Sequence, residues 1–215
     1  MDNSLSIIEL YMQVAACLFL ATAFITLLLR KTYQKEPHFL IFLLLALLLF
    51  YWGTALWNTL HKFSSPDSYA YPLSFLEWIL HAWIVRTLLP GNKRRFLDYL
   101  LIATVSVSLT IYIGVQFPGQ EFLLASIHTG ITGLLALLII KRVIAKNSFY
   151  ILQSPFFWLA IGSLFYACMS LLTQWATAWL QYPLDPARET ELLLLFFNLV
   201  RFAIYGVATL VKEKG

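Results

Sequence analysis

Charged residues are scarce in this sequence. Only 12% of its 215 residues are charged, whereas a soluble domain carries about a quarter. Hydrophobic residues make up 60% of the chain, and its mean hydropathy is +0.75. These values exclude a soluble globular protein. They indicate an integral membrane protein, mostly helix in contact with lipid or with other helices.

Cysteine is also rare, and the N-terminus lacks the pattern of a cleavable signal. Cys17 and Cys168 both lie in apolar runs, so we interpret them as small core residues and not as a disulfide framework. The first ten residues, MDNSLSIIEL, contain no basic residue ahead of an apolar run. We therefore expect the first helix to remain in the membrane.

Several motifs that would indicate a specific chemistry are missing. The sequence contains no H-E-x-x-H zinc pair, no G-x-S-x-G nucleophile turn and no glycine-rich phosphate loop. The last predicted helix has no lysine for a retinal Schiff base, since its only basic residue is Arg201. No internal repeat is visible, which disfavours the inverted-repeat folds of many transporters. We expect no cofactor.

Long apolar runs are what the sequence has in abundance. A helix needs about 20 mostly apolar residues to cross the hydrocarbon core, and seven runs meet this length approximately. We predict an all-α fold, a single-domain bundle of seven transmembrane helices over residues 1–215. The predicted helices are 7–29, 39–60, 73–89, 97–116, 122–140, 156–180 and 192–211. The third is short and the most polar.

Lysine and arginine concentrate on one side of this predicted topology. With the N-terminus outside, only Lys62 and Arg188 lie in outer loops, whereas eleven basic residues lie on the inner side. The eleven are Arg30, Lys31, Lys35, Lys93, Arg94, Arg95, Lys141, Arg142, Lys146, Lys212 and Lys214. The positive-inside rule then predicts an outer N-terminus and a cytoplasmic C-terminus. A basic belt facing lipid headgroups accounts for the net charge of +4, so we expect no nucleic-acid partner.

Two predicted helices carry ionisable residues at bilayer depth, where such a group costs roughly 2.5–3.5 kcal/mol on insertion scales. Glu77 and His81 share a face of the third helix, and Arg201 lies mid-way along the seventh. Arg201 needs a partner, and we favour an Arg201–Glu77 ion pair over a neighbouring Asn or Tyr. Arg86, near the inner end of the third helix, is predicted to reach the headgroups. The ion pair either lines a site or only fixes helix register.

Polar residues from several helices fall at a similar, outer depth. If they converge, they line an outward-opening ligand pocket; the alternative is scattered interhelical hydrogen bonds. The candidate ligand-binding residues are Glu77, His81, Asn198, Arg201, Tyr205, His128, Gln174 and Asn58. Glycines in the fifth helix, Gly130 and Gly133, predict close helix packing.

Histidines in this outer set leave a metal site open as an alternative. His61, His81 and His128, together with Glu77, offer the nitrogen and oxygen ligands that zinc uses. No two of these histidines have the tight spacing of a known zinc motif. This alternative would make the protein a membrane-embedded, metal-dependent lipid hydrolase.

Three segments resemble a known family. The last two predicted helices read SPFFWLAIGSLFYACMSLL and LLLLFFNLVRFAIYGVATL. They resemble the final helices of a seven-helix sensor module found at the N-terminus of many histidine kinases of the Bacteroidota. The segment YPLSFLEWILHAWIVRTLLPGNKRR is similar to the acid-bearing helix of that module and the basic loop after it. On this resemblance, Glu77, Phe157, Trp158, Tyr166 and Asn198 occupy positions that the module fills with similar residues.

The resemblance implies a sensor, with one departure. The family fuses the module to a kinase, whereas this sequence ends shortly after the seventh helix, so we expect the output to come from another polypeptide. We predict a non-catalytic sensor or accessory subunit of the bacterial cytoplasmic (inner) membrane that binds a small or lipidic ligand. Its expected partners are membrane lipids and a separately encoded histidine kinase or other membrane protein. A small transporter is a third possibility, disfavoured because buried polar groups are rare in the inner half.

Overall fold

A computed structural model shows a helical bundle. It describes residues 3–30, 38–61, 70–114, 120–146, 151–180 and 186–211. Seven α-helices lie within these ranges: α1 (Asn3–Arg30), α2 (His38–His61), α3 (Ala70–Leu88), α4 (Gly91–Gly114), α5 (Gln120–Lys146), α6 (Pro155–Leu180) and α7 (Pro186–Leu210). A short 3₁₀ helix, Ile151–Gln153, precedes α6. The predicted all-α fold is confirmed for the described residues.

Five of the described helices are long and apolar enough to cross a membrane, which makes the chain a multi-pass membrane protein. The candidate spans are Ile7–Arg30, His38–Leu60, Ser126–Lys146, Pro155–Ala176 and Leu192–Leu210. They belong to α1, α2, α5, α6 and α7. Large apolar side chains such as Leu29 and Phe50 are exposed on their outer faces, as expected of surfaces that contact lipid.

Six helices form a ring, in the order α1, α2, α3, α5, α6, α7 and back to α1. The remaining helix, α4, packs against α3 and α5. The inside of the ring is filled by aromatic and aliphatic side chains. For example, Trp52 of α2 meets Phe202 of α7 edge-on at 5.8 Å, and Trp78 of α3 is fully buried.

Side-chain contacts fix the directions of the helices. Arg30, the last residue of α1, donates hydrogen bonds to the carbonyls of Thr209 (2.8 Å) and Leu210 (2.7 Å) at the end of α7. Therefore α1 and α7 run in the same direction. A hydrogen bond from Ser126 to Gln174 (2.7 Å) lies nearer the start of α5 and the end of α6, so α5 and α6 are antiparallel.

The helix boundaries differ most from the predicted ones at the start of α7, which begins at Pro186 and not at residue 192, and at two basic helix ends. The cluster Lys93–Arg95, predicted to lie in a loop, forms part of the first turn of α4, which begins at Gly91 and not at residue 97. Likewise, α5 continues to Lys146 instead of ending at 140. Apolarity marks only the part of a helix inside the hydrocarbon, whereas Lys and Arg are good helix formers that extend it beyond.

Some basic residues of the predicted inner belt bond to protein. Arg94 donates to the carbonyl of Leu89 (2.8 Å) just after the end of α3. In the same way as Arg30 at the end of α7, it bonds to a carbonyl that a helix terminus leaves unpaired. Arg86, predicted to reach the headgroups, is part-exposed and pairs with Asp98 of α4 at 2.6 Å. Lys31, Lys35, Lys62, Lys212 and Lys214 and the Arg188 side chain lie outside the described part of the chain.

Candidate functional site

The predicted ion pair between the third and seventh helices is present. Arg201 Nη1 donates to Glu77 Oε1 at 2.5 Å, and the Arg201 side chain is only 3% exposed. The guanidinium also lies over the ring of Tyr166 on α6, with Cζ 4.2 Å from the ring centroid. A buried charge is tolerable only when it is paired. The pair therefore connects α3 to α7, and Tyr166 extends the contact to α6.

His81 lies one helical turn after Glu77 on α3. It connects the same three helices through the hydroxyl groups of Ser163 and Tyr205. His81 Nδ1 donates to the backbone carbonyl of Glu77 at 2.9 Å. The other ring nitrogen lies 2.7 Å from Ser163 Oγ on α6, and Ser163 Oγ lies 2.6 Å from the hydroxyl of Tyr205 on α7. His81, Ser163 and Tyr205 are each at most 1% exposed. Together with Glu77 and Arg201, we call these residues the buried network.

The hydrogen-bond directions in the buried network follow from the acceptors. Because the Glu77 carbonyl can only accept, a neutral His81 carries its proton on Nδ1, and its Nε2 accepts from Ser163. Ser163 then accepts from Tyr205. The carbonyl of Leu159, 2.9 Å from Ser163 Oγ, is a second acceptor for the same serine proton. The serine hydroxyl thus has two places to donate, one on its own helix and one on α3.

Gly162 allows α7 to approach α6 at the level of the buried network. A Cβ atom at Gly162 would lie 2.9 Å from Tyr205 Cε1 and 3.3 Å from the Arg201 carbonyl oxygen. A side chain there would displace Tyr205 from Ser163. In α5, Gly133 also packs closely, since a Cβ atom would lie 3.0 Å from that of Ala167, whereas Gly130 has open space within 4 Å.

Several buried polar atoms have no hydrogen-bond partner within the described residues. They include Arg201 Nε in the buried network, Asn198 Oδ1 three residues before it on α7, and Gln13 Oε1 on α1. Asn198 uses its Nδ2 to donate to the carbonyl of Leu194 (3.0 Å), and Gln13 uses its Nε2 to donate to Glu9 (3.2 Å). In hydrocarbon, each unsatisfied polar group costs several kcal/mol, so these atoms are suited to contact a polar molecule.

The other candidate residues bond elsewhere. His128 of α5 bonds to Ser108 of α4 at 3.1 Å, while its ring packs 5.9 Å from that of Trp78. Gln174 of α6 accepts from Ser126 and donates to Ser170 at 3.4 Å. Asn58 is half-buried on α2. The structure therefore brings together Glu77, His81, Arg201 and Tyr205, with Asn198 one turn from Arg201. It gives His128 and Gln174 separate partners at other helix contacts.

The metal alternative receives no geometric support in the part of the chain that is described. No three His, Cys, Asp or Glu residues there are grouped so that they hold a metal ion. His81 and His128 bond to serines on different helices. The side chain of His61 lies outside the described residues.

Sequence reasoning missed Ser163, the residue that joins His81 to Tyr205. A serine in an apolar helix is common, and it usually bonds to its own backbone, as Ser163 does with Leu159. The available signal was the dipeptide Gly162–Ser163, because a small residue permits a close helix approach and the adjacent hydroxyl can then bond across it.

Comparisons with known proteins add no family assignment. No protein-family model, no curated protein and no solved structure matches this chain. The resemblance to the seven-helix sensor module therefore stays a prediction. The functional conclusion rests on the geometry of the buried network.

Proposed function

We propose that the chain is a non-catalytic membrane sensor or accessory subunit that binds a small or lipidic ligand among its helices and signals to a separate partner protein. The observation that supports this best is the Glu77–Arg201 pair, which is buried and yet leaves Arg201 Nε and the adjacent Asn198 Oδ1 unpartnered. An ionisable residue at membrane depth indicates a functional site more often than a packing role.

The proposal includes the complete topology. All seven helices span the membrane, with the N-terminus outside and the C-terminus in the cytoplasm of a bacterial cell. The basic residues at the last turns of α1 and α5 and at the first turn of α4 support this orientation through the positive-inside rule. In this orientation Asn198 and Gln13 lie on the outer side of Arg201, and the ends of α3 and α7 that meet basic residues lie on the inner side.

The buried network also supports a signalling mechanism. Its contacts join α3 to α7 through Glu77–Arg201, α3 to α6 through His81–Ser163, and α6 to α7 through Ser163–Tyr205. A ligand that bonds to Arg201 better in one arrangement of α3 and α7 shifts the equilibrium toward that arrangement. The inner ends of both helices carry the shift to the partner, for which a separately encoded histidine kinase is our proposal.

The test is a measurement of the distance between the inner ends of α3 and α7. In a chain with Cys17 and Cys168 replaced by alanine, spin labels are attached at Lys93, in the first turn of α4 where the chain leaves α3, and at Leu210. Both positions are exposed. Double electron–electron resonance is recorded in nanodiscs of dioleoylphosphatidylcholine and of a bacterial polar lipid extract. A sensor shows two distance populations whose ratio depends on the lipid.

The network variant Arg201→Leu should remove this lipid dependence. A matched control, Ser126→Ala, changes a hydroxyl on α5 that bonds to α6 and should leave it intact. One unchanged distance in every sample, with wild-type and Arg201→Leu chains identical, would contradict the proposal.

A further inference from the structure

Three of the unpartnered buried atoms belong to two helices that pack against each other, Gln13 Oε1 to α1 and Asn198 Oδ1 and Arg201 Nε to α7. Asn198 and Arg201 are three residues apart on α7, and therefore on one face. Because α1 and α7 run in the same direction and end together at Arg30 and Leu210, Gln13 lies at the level of about residue 193 of α7. A rise of 1.5 Å per residue then places the three residues over roughly 12 Å along the helix axes. We call Arg201, Asn198 and Gln13 the polar ladder.

The polar ladder has a defined hydrogen-bonding character. Its deepest atom, Arg201 Nε, is a donor, whereas Asn198 Oδ1 and Gln13 Oε1 are acceptors. All three residues are at least nine-tenths buried. A molecule that satisfies the polar ladder must accept one hydrogen bond from Arg201. It must also donate one hydrogen bond each to Asn198 and Gln13, which lie nearer the start of α1. Hydroxyl groups do both.

The charges already present at the polar ladder disfavour a charged ligand, whether it is an anion or a cation. The positive charge of Arg201 is already matched by Glu77 at 2.5 Å. An added carboxylate or phosphate would bring an excess buried charge and place its oxygens against two amide oxygens. An ammonium group offers no acceptor to Arg201 Nε. An uncharged group with several hydroxyls adds no charge and leaves no atom of the polar ladder unpaired.

We infer that the polar ladder binds the hydroxyl groups of an uncharged ligand, such as the glycerol part of a monoacylglycerol or a free polyol. This inference rests on the proposed function, for which it names the ligand class. A lipid and a free polyol present the same hydroxyl chemistry. They differ in the acyl chain, which would lie against the apolar helix surfaces.

The test uses binding of tritiated 1-monooleoylglycerol to the full chain in dioleoylphosphatidylcholine nanodiscs, measured by scintillation proximity. Unlabelled monooleoylglycerol should compete at least about tenfold better than its 2,3-di-O-methyl ether, because losing the donors leaves Asn198 and Gln13 unpaired. Asn198→Leu should weaken binding by a similar factor, as should Gln13→Leu. The control Ser126→Ala should bind as the wild type does, and a thermal unfolding scan verifies that each variant is folded.

The competitors separate the possible ligand sources. Glycerol competing as well as monooleoylglycerol supports the hydroxyl chemistry and identifies a free polyol, whereas weak competition by glycerol supports a lipid. If the methyl ether or oleate competes equally well, the ligand class is wrong while the proposed function stands. If no probe binds but the α3–α7 distance still responds to lipid, only this inference fails. If neither binding nor response is seen, both fail.

Discussion

Removing Glu77 while keeping Arg201 should destabilise the bundle more than the reverse change. Arg201 is 3% exposed, and Glu77 is its ion-pair partner. A guanidinium cannot lose its proton in a protein, so Glu77→Leu leaves a permanent buried charge. A lone carboxylate can instead neutralise itself by taking up a proton. The two single substitutions therefore leave different defects, although they break the same bond.

The magnitudes follow from this difference. An unpaired buried charge costs about 3–5 kcal/mol, which is the expected loss for Glu77→Leu. The stacking of Arg201 on Tyr166 remains in that variant, so we expect the lower part of this range. Arg201→Leu leaves a neutral acid without its partner and should cost about 1–3 kcal/mol. The double variant has no buried charge at this position, and we expect it within about 1 kcal/mol of wild type.

The assay is equilibrium unfolding of the four proteins by sodium dodecyl sulfate in dodecyl maltoside micelles, followed by circular dichroism. A double-mutant cycle yields the coupling energy between the two positions, expected to be at least about 3 kcal/mol. Additive losses, with the double variant as unstable as the sum of the singles, would refute the reasoning. Equal losses in the two single variants would refute the asymmetry alone.

Two further substitutions test the packing and the hydroxyls of the buried network. Gly162→Ala should cost about 1–3 kcal/mol, because its Cβ would lie 2.9 Å from the Tyr205 ring, whereas Gly130→Ala, with open space around it, should be neutral or slightly stabilising. Ser163→Ala leaves His81 and Tyr205 without their shared partner and should cost about 1–3 kcal/mol in the same unfolding assay. A fully stable Ser163→Ala would mean that these hydroxyl contacts contribute nothing to the fold.

Composition and hydropathy were enough to predict an all-helical membrane chain, because long apolar segments in lipid must satisfy their backbone groups within helices. The ends of the helices were harder to predict. The basic turns of α4 and α5 are helical without being apolar, and no hydropathy signal marks where they begin or end. Contacts such as Arg30 with the Thr209 carbonyl depend on which helices are neighbours, and neighbours are not readable from one sequence.

The candidate site was predictable where charge required it. Arg201 needed a partner at its own depth in the membrane, and Glu77 is the carboxylate within the third apolar run. The ion pair therefore followed from the energetic cost of an unpaired charge in the membrane. No similar requirement applied to His128 or Gln174, since a neutral group can bond to any nearby donor or acceptor, as His128 does with Ser108 on α4. Ser163 was missed because a hydroxyl that can bond to its own helix gives no sign of a second partner.

The side-chain arrangement of α3 bears on the proposal that this helix also crosses the membrane. Along its described side chains from Phe75 to Leu88, the exposed residues are Leu76 and Trp83, both apolar. The polar residues Glu77 and His81 face α6 and α7 instead. Lipid contacts only the outer face of a helix, whereas a hydropathy average counts both faces equally. The apolar outer face of α3 therefore supports the proposal that this helix crosses the membrane with its neighbours.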